Sequence, residues 1–311
     1  MPVPNRPTAA FLAAAVGTLL TACAALAYET DPYTNRDVDL ADSLLILDEK
    51  MNAALDRIAA SWSRGEDEWA FITAVYWDVG GLHWIDKLER WAMNAPEVDK
   101  LPISRRESVF SDLPLHAARG ARFWGLGRTM NVNGIYVGTD KIGHFLSQGR
   151  KFYSRYNRLG SIERAAQRTA TWEALIWGRL MSGIFSNADL VANYEGFLFY
   201  KGLFQDGVVG DKVAMFRWED GRPVRQRSFS WADHVNEFWD ETLNPNSYAA
   251  AIVPHMQRRI LRLCDDYARR PDRYRVGDRD ALHARYREIG MRVATAPVPA
   301  RFLAENCPSA P

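Results

Sequence analysis

Two polar pairs at helical spacing mark the part of the chain best suited to chemistry. Asp140 and His144 lie four residues apart, and so do Asp189 and Asn193. Residues four apart on an α-helix lie on the same face, one turn from each other. Glu173, in the apolar segment between the pairs, is a further acidic group that we expect to be buried. Because an ionisable group buried without a partner costs free energy, these five side chains should meet in the interior.

Such a group of side chains suits two kinds of chemistry. An imidazole with two or three carboxylates can bind a divalent metal that activates water, and the predicted ligands are Asp140, His144, Glu173, Asp189 and Asn193. Without a metal, His144 oriented by Asp140 or Glu173 could act as a general base, which makes these three residues the predicted catalytic set. The remaining alternative is a polar network in which a neutral, hydrogen-bonded His144 only holds helices together.

Three consecutive predicted helices carry these residues, over 140–156, 161–181 and 187–204, within a core motif region 139–204. Helices joined by short connections fold back on one another as antiparallel neighbours. This geometry is the reason to expect the polar side chains at one point.

The remaining sequence predicts mostly helix around two hairpins. Helical periodicity extends over 38–62, 69–79 and 82–93, and the C-terminal helices are predicted within 230–293, over 230–242, 247–267 and 280–293. Asn133-Gly134 and Asp220-Gly221, each between apolar stretches, favour type I′ hairpin turns, the second hairpin covering 213–229. We therefore predict one mainly α, bundle-like compact domain over 28–311 with two short β-hairpins.

One further histidine lies in an acidic stretch of this C-terminal region. His234 has several acidic neighbours, among them Glu241, and the stretch is interpreted as a solvated helix face, with a cation site as the alternative.

Composition excludes several classes of protein. The chain has 311 residues, 47% of them hydrophobic, enough for a substantial core, and a net charge of +1, which gives no support to nucleic-acid binding. Three cysteines exclude a small disulfide scaffold, and no window of the mature chain is apolar enough to span a membrane. Acidic residues prevail over 28–100 and basic ones afterwards, with many arginines over 258–292. That stretch could contact lipid headgroups or another polyanion, although packing between the two halves, or solvated helix faces, explain it as well.

The N-terminus predicts export. Residues 1–27 combine Arg6, an apolar stretch over 9–20 and small residues, as in a signal peptide. Cleavage after Ala27 would give a soluble product, whereas a lipobox-like sequence ending at Cys23 would give a lipid-anchored one. Both place the protein in the periplasm or at the outer membrane, where Cys264 and Cys307 could form a disulfide or stay two separate thiols.

A resemblance to known families rests on the same motif region. Asp140-Lys141-x-x-His144-Phe145, then Glu173, then Ser186-x-x-Asp189-Leu190-x-x-Asn193-x-x-Gly196 resembles the pattern of small exported YfiM-like lipoproteins. The first of these motifs is also similar to VanZ-like proteins, which are polytopic membrane proteins, unlike this chain. In the YfiM-like pattern the position of Asn193 is often Asp. The resemblance implies an envelope protein and supplies no reaction.

Together these patterns favour an exported cell-envelope protein with a buried polar site. It would be a metal-dependent or histidine-assisted hydrolase, and its partners an envelope lipid, glycan or protein. The alternative is a non-catalytic scaffold in the periplasm or at the outer membrane.

Overall fold

The computed structural model describes residues 29–81, 85–113, 126–172, 183–275, 277–286, 289 and 299–307. The predicted signal peptide, with Cys23, and the predicted site residue Glu173 lie outside these ranges. The part of the chain that is described is mainly helical, with small two-stranded sheets that include hairpins, as the sequence predicts. The single-domain organisation stays a prediction.

The N-terminal part contains a short strand and three helices. They are β1 (Glu29–Thr30), α1 (Leu44–Ala60), α2 (Glu68–Val79) and α3 (Lys87–Asn94). Helix α1 buries one stripe of side chains that includes Leu47, Met51 and Leu55, which is the helical spacing seen in the sequence. Helix α3 begins with a capping box formed by Asp86 and Glu89, so the start of α3 holds two carboxylates in place.

Both predicted hairpins are confirmed. Strand β2 (Leu126–Gly127) pairs in parallel with β1, and the first hairpin follows as β3 (Thr129–Val132) and β4 (Ile135–Gly138). The second hairpin is β6 (Phe216–Glu219) with β7 (Arg222–Arg225). Their turn residues have positive φ angles, 56° and 79° at Asn133 and Gly134 and 50° and 75° at Asp220 and Gly221, as a type I′ turn requires.

The central helices carry most of the predicted site. Helix α4 (Asp140–Gly143) continues through a π-helical turn (His144–Gln148) into α5 (Gly149–Leu159), and α6 (Ile162–Trp172) follows. Strand β5 (Ile184–Phe185) leads into α7 (Asn187–Gly202). A Cβ atom at Gly196 would lie 2.0 Å from the backbone oxygen of Phe145, so the glycine lets α7 touch the backbone of the π-helical turn.

The C-terminal part differs from its prediction in two places. The predicted helix over 230–242 is wrong, because Ser230 and Asn236 each accept a hydrogen bond from the backbone two residues on and limit the segment to 3₁₀ turns. These turns are Trp231–Asp233 and Glu237–Trp239. The predicted long helix over 247–267 is also wrong in its first part. Its first residues form β8 (Ser247–Tyr248), which pairs with β5, and the helix begins only where Pro254 fits the first turn.

The chain then continues through α8 (Val253–Ile260), a 3₁₀ turn (Leu261–Leu263), α9 (Cys264–Arg269), a 3₁₀ turn (Pro271–Tyr274), α10 (Arg279–Tyr286) and α11 (Pro299–Asn306). Helix α10 confirms the start of the predicted helix over 280–293. A disulfide between Cys264 and Cys307 links α9 to the end of α11, which decides between the two alternatives for these cysteines. Within the described ranges, no helix combines the length and the apolar character needed to cross a membrane.

Two large groups of buried side chains form the interior. The larger one joins α1, α2, α5 and α7 around aromatic side chains such as Phe71, Phe145 and Phe197. The second joins Val109 and Phe110 to α8 and α11 through Ile252, Met256 and Leu303. The predicted polar residues border the larger core.

Candidate functional site

The residues of the candidate site come from four separate segments. Asp140, Lys141 and His144 lie on the first turns of the long helix that begins with α4. Asp189 and Asn193 lie one turn apart on α7, whose N-cap residue Ser186 accepts a hydrogen bond from the Asp189 amide. Thr30 of β1, and Glu241 in the loop before β8, complete the group. Helices α4 and α7 thus meet at one point, as predicted, and β1 and the loop before β8 join them there, which was not predicted.

Lys141 lies at the centre of the group and was not predicted. Its Nζ lies 2.6 Å from Oδ2 of Asp140, 2.6 Å from Oδ1 of Asp189 and 2.8 Å from Oε1 of Glu241, with no part of the side chain exposed. A buried ammonium is stable only when it is paired and hydrogen-bonded, and here three acidic groups provide the pairing. Three carboxyl groups face one ammonium, so the cluster has an excess of acidic groups.

The carboxylates are also held by hydroxyl groups. Thr30 Oγ1 donates to Oδ1 of Asp140 at 2.6 Å, and Ser186 Oγ donates to Oε1 of Glu241 at 2.7 Å. Thr30 belongs to β1, and Ser186 is the N-cap residue of α7. These two elements therefore hold the carboxylate oxygens of Asp140 and Glu241 in place.

His144 contacts α7 through both ring nitrogens. Nδ1 lies 3.1 Å from Oδ1 of Asn193, and Nε2 lies 3.3 Å from Oδ2 of Asp189. With the amide oxygen of Asn193 facing the ring, Nδ1 is the hydrogen-bond donor of this contact, and Nε2 is directed at the carboxylate. The side chains are 8% exposed for His144 and 15% for Asp189, so solvent reaches the cluster at this edge while the Lys141 side is closed.

The pKa values follow from burial and from the excess of acidic groups. Burial, with the nearby negative charges of Asp140 and Asp189, raises the pKa of Glu241 to about 7 despite the attraction of Lys141. The pKa of Glu29, beside Thr30, is raised first by burial and then by Asp189 and Glu241. Burial also acts to raise the pKa of Asp189, but His144 and Lys141 outweigh it and the net pKa is lowered.

A second acidic pair lies behind the helix that carries His144. Ser147 Oγ lies 2.8 and 2.6 Å from the two carboxylate oxygens of Asp86, which share its single proton. Burial raises the pKa of Asp86 to about 6, and it raises the pKa of Glu89 as well, with Asp140 and Asp86 adding to it. A Cβ at Gly143 would lie 2.2 Å from Oε2 of Glu89, so the glycine allows this carboxyl group to touch α4.

The structure brings together most, but not all, of the predicted residues. Ligand atoms of Asp140, His144 and Asp189 all lie within 4.8 Å of one another, and Asn193 contacts His144. Glu173 is outside the described residues, so its predicted role stays a prediction. The roles of the other four as catalysts or ligands likewise stay predictions.

Sequence reasoning missed Lys141 and Glu241. Lys141 is part of the motif quoted above, but it has no acidic partner at helical spacing that would have indicated its burial. The interpretation of the stretch around His234 and Glu241 as a solvated face is wrong, because His234, Asp240 and Glu241 are all buried. Their burial is possible because each has an oppositely charged or hydrogen-bonding partner. Asp240 pairs with Arg36, Glu241 with Lys141, and His234 with Glu195.

The arrangement can bind a cation between three ligand atoms. Ligands bound tetrahedrally to one Zn²⁺ at about 2.1 Å lie about 3.4 Å apart, so ligand atoms that are up to 4.8 Å apart need to approach one another by at most about 1.4 Å. The carboxylate oxygens retain lone pairs beyond those used by Thr30, His144 and Lys141.

Comparisons of this chain with protein-family models, with curated proteins and with solved structures find no match.

Proposed function

We propose that this protein binds a divalent metal ion through Asp189, His144 and Asp140, and that the ion activates water for hydrolysis of a cell-envelope substrate. The single observation that carries the proposal is the 3.3 Å separation between Nε2 of His144 and Oδ2 of Asp189. What this separation implies depends on the contact between Nδ1 of His144 and Asn193.

The tautomer of His144 is set by Asn193. With the proton on Nδ1 donated to the amide oxygen, Nε2 presents a lone pair to a carboxylate oxygen that is also electron-rich. Such a contact is favourable when Nε2 is also protonated, so that an imidazolium pairs with the carboxylate, or when a cation lies between the two atoms. A metal ion fulfils the second condition, and a hydrogen bond that fixes the second imidazole nitrogen is the usual support of a metal-binding histidine.

The type of ligand favours an ion such as Zn²⁺ or Mn²⁺. One imidazole and two carboxylates suit these ions, and three protein ligands leave coordination positions for water and substrate. A metal ion supplies a nucleophilic hydroxide at neutral pH when it binds water. The residues then have separate tasks: Asn193 orients the imidazole, and Lys141 with Thr30 orients the carboxylates.

The cellular part of the proposal has two supports. The disulfide between Cys264 and Cys307 is consistent with an oxidising compartment, and the resemblance of the motif to YfiM-like lipoproteins indicates the envelope. Export, by cleavage after Ala27 or lipidation at Cys23, and the substrate, an envelope lipid, glycan or peptide, are parts of the proposal.

Calorimetric titration of the purified protein with Zn²⁺ and with Mn²⁺ tests the proposal. We expect one ion per chain, a rise in melting temperature with the ion, and loss of binding in His144→Ala and in Asp189→Asn. His234→Ala is the matched control, because His234 also lies 3.3 Å from a buried carboxylate, that of Glu195, and should leave ion binding unchanged.

Two results would contradict it. One is a protein that is metal-free on elemental analysis and gains no thermal stability from Zn²⁺, Mn²⁺ or Ca²⁺. The other is equal loss of ion binding in the His234→Ala control.

A second function, that of a non-catalytic scaffold, is favoured by the burial of Lys141 among three carboxylates, which resembles a completed structural network. The double variant Asp140→Ala with His144→Ala separates the two. On the scaffold alternative it loses about 3–5 kcal/mol of unfolding free energy, as a broken buried ion pair does. On the metal proposal the wild-type protein binds the ion and the double variant loses both ion binding and hydrolysis, whatever stability is lost when Lys141 is deprived of Asp140.

A further inference from the structure

A cavity lies beside the core formed by α8 and α11. Its volume is about 630 Å³, which is within the range of small-molecule sites. Among the described residues its lining includes four arginines and one acidic residue; these are Arg105, Arg106, Arg259, Arg262 and Asp112. No residue of the His144 cluster is among the described residues that line it.

The charge of this lining is strongly positive. Arg105, Arg106 and Arg262 are exposed at the cavity, whereas Arg259 is 94% buried by the protein around it. Asp112 does little to neutralise them, because its side chain is 82% exposed and its Oδ2 approaches Arg259 Nη1 only to 4.0 Å. Guanidinium groups that converge in this way attract an anion, since their mutual repulsion falls when a negative group lies between them.

Arg259 is fixed in place and still has hydrogen-bonding capacity. Its Nη2 donates to the backbone oxygens of Arg106 at 2.6 Å and Ser108 at 2.9 Å, which orients the guanidinium plane. Its Nε is buried and has no hydrogen-bond partner in the described part of the chain, and the same holds for Oγ of Ser111, which also lines the cavity. A buried N–H or O–H without an acceptor is unfavourable, so both atoms lack the acceptor that a ligand could provide.

We infer that this cavity binds a phosphate group of a phosphate-bearing ligand. Phosphate supplies several acceptor oxygens and up to two negative charges, which suits several guanidinium forks better than a single carboxylate does. Arg259 and Ser111 donate to it from the buried wall, and Arg106 and Arg262 hold it at the opening. The volume leaves room for a group attached to the phosphate. The ligand is either a free phosphorylated molecule or the headgroup of an anionic lipid.

The inference is independent of the metal proposal, and it gives Arg259 and Arg262, two arginines of the stretch 258–292, a role other than general surface charge. Arg258 provides the contrast, since it is exposed on the same helix, contacts His255 and is not in the cavity lining. If general surface charge is responsible for anion binding, Arg258 should contribute to the affinity as much as Arg262 does.

The test is calorimetric titration of the purified protein with inorganic phosphate, pyrophosphate and glycerol phosphate, and co-sedimentation with phosphatidylglycerol vesicles. We expect saturable binding with the affinity rising from phosphate to pyrophosphate. The double variant Arg106→Gln with Arg262→Gln, both exposed, should weaken binding at least tenfold and leave the melting temperature unchanged. Arg258→Gln, the matched control, should change the binding affinity less than twofold.

A second variant examines the buried wall. Ser111→Ala removes only an unpartnered hydroxyl, so it should fold normally and weaken pyrophosphate binding several-fold. Glycerol phosphate that displaces vesicles identifies a cavity that accepts headgroups, and binding of the soluble phosphates alone identifies a free ligand as the source. The inference is overturned if none of these probes binds. It is also overturned if Arg258→Gln loses as much affinity as the double variant Arg106→Gln with Arg262→Gln.

Discussion

The described part of the chain contains two buried histidine–carboxylate pairs with the same separation and very different surroundings. His144 lies 3.3 Å from Asp189, and His234 lies 3.3 Å from Glu195. Both acidic partners are on α7. The separation alone therefore does not identify the candidate site.

The environment of His234 is closed and aromatic. Its side chain has no exposed area, and its ring packs against Phe145, Phe199 and Phe229 with centroids 5.2–6.3 Å away. The partner Glu195 already accepts a hydrogen bond from the Tyr286 hydroxyl at 2.6 Å. Among the residues that the structure describes, none adds a second carboxylate to this pair as a metal ligand, and the His234 side chain has no exposed area, which is typical of a structural pair.

The environment of His144 is acidic and open at one edge. Asp140 provides a second carboxylate within ligand distance, Asn193 sets the tautomer, and Asp189 is partly exposed. The difference teaches that access and the excess of acidic groups, rather than the pair itself, give a buried histidine the capacity for chemistry.

The largest effect is expected from Lys141→Met. Removal of the ammonium leaves Asp140, Asp189 and Glu241 without their shared cation, which should lower the unfolding free energy by about 3–5 kcal/mol. Urea unfolding at pH 7 measures this. Lys50→Met, at an exposed lysine that contacts only the ring of Trp91 among the contacts described, should change it by less than about 1 kcal/mol.

Metal ions sharpen the same experiment. Without the competing ammonium, Zn²⁺ or Mn²⁺ should restore more stability to Lys141→Met than it adds to the wild-type protein. A Lys141→Met protein as stable as the wild type would show that the carboxyl groups do not need a cation, and would remove the contrast with the Glu195 pair.

The next largest effect distinguishes the two histidines directly. His234→Ala leaves a cavity among phenylalanines and an acidic group without one partner, so it should cost about 3 kcal/mol. His144→Ala, at the edge that solvent reaches, should cost about 1 kcal/mol while it removes ion binding. Thermal and urea unfolding in the absence of metal measure both. The reverse order of stability would assign the structural role to His144.

Local signals allowed much of the fold to be predicted. The turn pairs Asn133-Gly134 and Asp220-Gly221 need only their own backbone preference, so both turns were predicted correctly. The apolar stripe predicted α1 as a helix, but over 38–62, whereas the helix covers Leu44–Ala60. The segment 230–242 was not predicted correctly, because side-chain hydrogen bonds of Ser230 and Asn236 end each turn before a helix can extend.

The site was predictable where its residues share a helix. Spacing placed Asp140 with His144 and Asp189 with Asn193, and adjacency of the helices brought the pairs together. Glu241 could not be found in this way, because its contact with Lys141 joins residues that are distant in sequence, and only the tertiary fold determines it.

A smaller, pH-dependent effect is expected from Asp86→Asn. Asp86 contacts Ser147 on the helix that carries His144, and it is not among the residues described around His234. Burial raises the pKa of Asp86 from 3.8 to about 6, so the folded state holds its proton up to a higher pH than the unfolded state. The protonated Asp86 therefore stabilises the folded state fully at a pH below the unfolded-state pKa of 3.8, and this stabilisation is lost as the pH rises through the folded-state pKa of about 6. Asn mimics the neutral acid. Relative to wild type, Asp86→Asn should therefore gain about 1 kcal/mol between pH 5 and pH 8 in urea unfolding. A stability difference that does not vary with pH would contradict it.

The smallest effect concerns the position that distinguishes this chain from the YfiM-like pattern. Asn193→Asp replaces the acceptor of the His144 Nδ1 proton by a carboxylate, which makes the imidazole a more basic ligand. Metal affinity should rise by roughly threefold, a modest gain because a buried negative charge is added beside Asp189. Asn193→Ala removes the acceptor and should lower the affinity, so the two variants change it in opposite directions. Titration with Zn²⁺ measures both, and a shift in the same direction for the two would mean that Asn193 fills space without orienting the ring. In that case the tautomer argument no longer separates His144 from His234, and access to solvent alone would distinguish the two histidines.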